Sequence, residues 1–208
     1  MYPMLLAAAL VAVPSPVVRT PVAPAPADSI ARAAFHDAMR QLWEDHIVWT
    51  RTFIISAVAG LPDADQAAER LLQNQADIGA AIAPFYGEPA AGQLTTLLRG
   101  HILTAARLVG AAKTGDTTAV SGASAAWYAN ADSIADFLAA ANPRHWPRAA
   151  LRSAMRMHLD LTLQEATARL RGDWEADVAA YDAVRRHILQ MADVLSDGIV
   201  AQFPGRFN

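Results

Sequence analysis

The chain contains no cysteine, which excludes thiolate nucleophiles, disulfides, thiolate metal sites and a lipidated N-terminal cysteine together. It also has no strong charge excess. A formal net charge of -3, with 18% charged residues and no basic cluster, excludes nucleic acid as a partner. No segment alternates apolar and polar residues with the period of a strand. After the first 27 residues, no run is long and apolar enough to read as a membrane span. The short motifs of catalysis are missing too. There is no nucleophile elbow, phosphate loop or dinucleotide fingerprint, and no His-Glu-x-x-His, His-x-x-x-His or Glu-x-x-His pair. Any site must therefore be assembled from residues distant in sequence.

What remains is apolar and alanine-rich. At 208 residues and 53% hydrophobic, the chain can bury one substantial core. Its N-terminus reads separately. The apolar run Met4 to Val13 has signal-peptide length, and a Pro/Ala-rich stretch follows, ending in Ala25-Pro26-Ala27 of the small-x-small cleavage form. Residues 1–27 are expected to be a secretory leader and spacer, and 28–208 a single domain. The expected location is periplasmic or extracellular, with no stable membrane insertion once the leader is removed.

Turn signals divide the domain into six helices, at roughly 29–60, 63–84, 90–114, 118–141, 147–171 and 174–203. Gly115-Asp116 and Gly172-Asp173 repeat one device, a glycine that closes a helix and an aspartate that caps the next. Asp63 with Gln66 has the spacing of a capping box, and Pro147 suits a first helical position. The "DAD" of Asp63–Asp65 imitates a sugar-nucleotide motif but reads better as this cap. The expected fold is all-α, an up-and-down bundle of three helical hairpins.

Spacing carries more than periodicity. His46, His101 and His158 lie 55 and 57 residues apart, each in the middle of an odd-numbered helix. His46 precedes Asp77 by 31 residues, and His101 precedes Asp132 by the same 31. "NQADIG" (residues 74–79) echoes "ANADSI" (129–134), which suggests an internal repeat. At the rise of an α-helix, His46 and Asp77 both lie roughly 23 Å from their turn, so they share one level. The same count sets His101 opposite Asn130 and Asp132, and His158 opposite His187. All four histidines fall on apolar stripes, whereas His36 and His145 lie near a terminus and in a loop.

These residues define a mid-height polar layer. As a metal centre it would use His46, Asp77, His101, Asp132, His158 and His187 for a divalent transition metal such as Zn, Cu or Fe. As a small-molecule pocket it would add Trp49, Asn74, Gln75, Tyr128 and Asn130. As structure alone, His46–Asp77 and His101–Asp132 would be buried pairs that fix helix register. Trp43, Trp127 and Tyr181 are expected to be aromatic core, and Glu44 and Asp45 to be solvated or paired with Arg40 or Arg51.

The segments "LWEDHIVWTRTFIISAVAGLPD", "RLLQNQADIGAAIAPFYGEPAAGQLTTLLRGHI", "WYANADSIADFLAAANP" and "HILQMADVLSDGIVAQFP" together resemble a family of small, mostly exported bacterial proteins. Its members often carry the label glycosyltransferase, although this chain has no strand patterning. The resemblance covers nearly everything after residue 28, and it implies export and a family role for the His and Asn/Asp positions. The expected function is non-enzymatic binding of a metal ion or small ligand. The alternatives are a structural or interaction module and a metal-dependent enzyme.

Overall fold

The computed structural model describes residues 27–207, and the expected leader lies outside the described residues except for Ala27. Six α-helices follow one another: α1 (Ala27–Ala59), α2 (Ala64–Tyr86), α3 (Glu88–Thr114), α4 (Thr117–Ala141), α5 (Arg148–Arg171) and α6 (Trp174–Gln202). A single 3₁₀ turn, Pro204–Arg206, closes the described chain. No strand occurs among the described residues, and none of their helices is long and apolar enough to cross a membrane.

The turns are made as the Gly-Asp pairs predict. Gly115 and Gly172 adopt left-handed φ values of 73° and 71°, which a side chain would strain. Asp116 and Asp173 then accept hydrogen bonds from the Ala119 and Ala176 amides. Two expectations fail at residue level. Asp63 makes no side-chain cap bond, and Pro147 precedes the first residue of α5 rather than opening it.

Each helix lies against the next in sequence, and α6 closes the ring on α1. In addition α1 touches α3 and α5, so the odd-numbered helices line the axis. One end of the barrel is sealed by aromatic rings. Phe35, Phe85, Phe203 and Phe207 cluster there, with Phe85 stacked on Phe207, and Tyr86 donates to Gln202 at 2.6 Å. Beside them Trp146 lies so close to Gly198 that an added Cβ would meet its indole at 2.0 Å. That contact fixes glycine at this helix crossing. The other end carries the three hairpin turns and is much less filled.

Candidate functional site

At mid-height the three axial helices each contribute one imidazole. His46, His101 and His158 are 2–3% exposed. The His158 ring lies 5.7 Å from that of His46 and 5.9 Å from that of His101. Trp43 and Trp127 meet His46 and His101 edge-on or tilted at 5.9 and 5.4 Å. Burial drives all three imidazoles toward the neutral form, and their neighbours reinforce it for His46 and His158. His46 is pushed down to about 3, His101 to about 4 despite a hydrogen bond to the Asn130 side-chain oxygen that opposes the shift, and His158 well below its ordinary value.

The return helices brace this layer by a threefold pattern. Asn74 donates to the Leu42 carbonyl at 2.9 Å, Asn130 to Leu97 at 3.0 Å, and His187 to Ala154 at 2.9 Å. In every case the acceptor lies four residues before the axial histidine. The residues 29 positions after the three histidines are Gln75, Asn130 and His187. Gln75 and Asn130 contact the rings directly, both at 3.2 Å from Nδ1.

Those two contacts differ in sense. Asn130 donates its amide to Leu97, so its oxygen faces His101 and accepts from an Nδ1–H. Gln75 points its nitrogen at the Leu71 carbonyl (2.8 Å) and at Asn74 Oδ1 (3.0 Å), and the same nitrogen faces His46. Turning that amide over would set its oxygen against two other oxygens. The two hydrogens of that nitrogen go to these two oxygens, and it has no lone pair to accept an Nδ1–H, so the arrangement favours the His46 tautomer that carries its proton on Nε2. On that arrangement the two rings are opposite tautomers, and neither Nε2 has a hydrogen-bond partner among the described residues. His158 Nδ1, Gln75 Oε1 and the Trp43 and Trp127 indole nitrogens are buried without partners.

Above the imidazoles runs a cavity of about 160 Å³. Its walls follow three parallel stripes: Thr50 and Ile54 on α1, Ala105 through Ala112 on α3, and Thr162 through Leu170 on α5, with Leu71, Val120 and Trp127 between them. From the histidines to its far end the stripes span roughly 12 to 18 Å of helix rise, so the cavity is a channel. No Asp, Glu, Lys or Arg lines it. The far end reaches Ala112 and Leu170, close to the α3–α4 and α5–α6 turns.

The acidic residues expected in the layer are not there. Asp77 lies on the surface, bonded to Gln73 at 3.0 Å and 3.9 Å from Arg70, while Asp132 pairs with Arg156 at 2.6 Å. A spacing of 31 puts an aspartate at nearly the right level, but two residues beyond Gln75 or Asn130. Two residues turn a helix by about 200°, so these side chains face outward. His187 lies behind His158 in a cleft with Trp146 and Met191, its Nε2 already committed to Ala154. Trp49 stacks under the Arg70 guanidinium, and Tyr128 donates to Asp160. Both lie outside the layer, and their places at it are taken by Trp43 and Trp127.

One buried cluster carries no short sequence signal. Arg51 bonds Glu165 at 2.8 Å and Asp177 at 2.6 Å, Arg169 bonds Asp177 at 3.3 Å, and Arg51 lies 4.8 Å above the Tyr181 ring. Burial, against the pull of Arg51, lifts Glu165 to about 7. Asp177 is held below its ordinary value because Arg51 and Arg169 outweigh its desolvation. Arg51 is thus not a partner of Glu44 or Asp45. Glu44 pairs with Arg185, and Asp45 lies 3.7 Å from Arg70.

Among the described residues no group of three or more His, Asp or Glu is disposed to hold a metal ion. The hydrogen bonds give a reason. A metal-bound imidazole ordinarily donates its second N–H to an acceptor, whereas His46 Nδ1 faces the Gln75 amide nitrogen. No family model, curated protein or solved structure matches the chain.

Proposed function

We propose that the protein binds a small, largely apolar molecule in the channel above His46, His101 and His158, and that it does so without catalysing a reaction. The observation that supports this most is the channel itself. It holds about 160 Å³ bounded by apolar walls, similar to an engineered cavity of roughly 150 Å³ that takes up benzene. Native cores rarely keep such a volume, because each methylene-sized void weakens packing. The unpartnered ring nitrogens at its floor supply the few polar contacts by which such pockets orient a ligand.

Binding of a hydrocarbon probe such as hexane, followed by its effect on melting temperature, tests the reading. Ala166 lines the channel, so Ala166→Leu should fill it and abolish that stabilisation while the variant still folds. An unchanged melting temperature of the wild type at saturating hexane would remove the proposal.

A metal-binding role for the three imidazoles is disfavoured by the donor facing His46, although His101 Nε2 carries a free lone pair. The register-fixing role is favoured for Asn74, Asn130 and His187 by their bonds to axial-helix carbonyls. We also propose export, on the leader-like residues 1–27 and the resemblance to exported proteins. Fractionation of the producing cell tests it, with retention in the cytoplasm as the refuting result.

A further inference from the structure

Resting on the channel reading, we infer that the ligand is a medium-length aliphatic alcohol, seated with its hydroxyl at the imidazole floor, where His158 lies 5.7 Å from His46 and 5.9 Å from His101, and with its chain along the channel. The chemistry of the floor selects the head group. In the tautomers that their Nδ1 contacts favour, His46 presents an N–H at Nε2, and His101 presents a lone pair at the same atom. A hydroxyl is the complement of that pair, since it accepts one hydrogen bond and donates another through a single oxygen. Both rings line the channel, and His158 beside them keeps a buried Nδ1 without a partner.

Charge is selected against. No cationic or anionic side chain lines the channel, so a carboxylate or ammonium there would be desolvated with no counter-ion. The buried guanidinium of Arg51, next in sequence to the lining residue Thr50, is bound to Glu165 and Asp177. The walls select the tail. They are apolar for about two to three helical turns above the floor, apart from Thr50, Thr162 and Thr167. Two of those threonine hydroxyls are already spent on the His46 and His158 carbonyls at 2.7 and 2.8 Å. A cavity of this volume suits a chain of about six carbons.

Calorimetric titration of the full chain with n-hexanol, hexyl methyl ether, hexane and hexanoate tests the inference. The expected order is n-hexanol tightest, at least tenfold tighter than hexane. The ether, which accepts but cannot donate, falls between them, and hexanoate is weaker than n-hexanol. In parallel, ¹⁵N spectra of the imidazoles should show His46 protonated on Nε2 and His101 on Nδ1. Equal binding of hexane and n-hexanol, or the same tautomer at both rings, overturns the alcohol assignment and leaves the channel reading intact. If neither compound binds, the channel reading falls and the alcohol with it.

Discussion

Acidification should destabilise the fold through its three neutral histidines. In the unfolded chain each titrates near 6.5, whereas in the folded chain His46 titrates at about 3 and His101 at about 4. Between those values the unfolded state binds the extra proton, so stability is full above the unfolded value and falls as pH drops below it. From about pH 7 to about pH 5 the loss is about 2 kcal/mol for each of these two rings. His158 acts in the same direction. Glu165 opposes them. Its folded value of about 7 lies above the ordinary 4.5, so the folded state binds its proton first and gains about 2 kcal/mol over the same interval. The depressed carboxylates Asp136, Asp177 and Asp193 act at lower pH. Urea unfolding followed by circular dichroism at several pH values measures the balance. Wild type should lose stability toward about pH 5. Glu165→Gln, which keeps an acceptor for Arg51 and cannot titrate, should lose about 2 kcal/mol more over the same range. Stability that stays level or rises in Glu165→Gln would refute the burial of neutral imidazoles.

Other perturbations separate the layer from the surface. Arg51→Ala strands Glu165 and leaves Asp177 with Arg169 alone, both residues being 1% exposed, and should cost about 3 to 5 kcal/mol in chemical denaturation. Asn130→Leu removes the bonds to His101 and Leu97 together and should cost about 2 to 3 kcal/mol, read the same way. Asp77→Ala and Asp132→Ala touch only exposed partners and should each change stability by less than about 1 kcal/mol. A large loss in either aspartate variant would restore the acidic residues to the layer.

The architecture was legible because its signals are local. Gly115-Asp116 and Gly172-Asp173 mark their turns by backbone chemistry that needs no distant partner. The level of the histidines was legible because helix rise converts counting into height. Facing was not, because an error of two residues shifts height by only about 3 Å but turns a side chain to the far side. That is how Asp77 and Asp132 stood in for Gln75 and Asn130. Trp49 and Tyr128 failed similarly beside Trp43 and Trp127. The Arg51 cluster joins residues more than a hundred positions apart, and no periodicity encodes such a meeting. The channel had a faint signal. Beyond each histidine the inward stripe interleaves small or short residues (Thr50 on α1, Ala105 and Ala112 on α3, Thr162 and Ala166 on α5) with larger ones such as Phe53, Leu108 and Leu170.

Methyl NMR of the protein under xenon pressure addresses the channel most directly. Saturable shifts confined to the methyls of Ile54, Leu71, Ile102, Leu108 and Val109, and absent from Ala166→Leu, are the predicted result. Shifts that never saturate, or that scatter over residues outside the channel, would contradict the account.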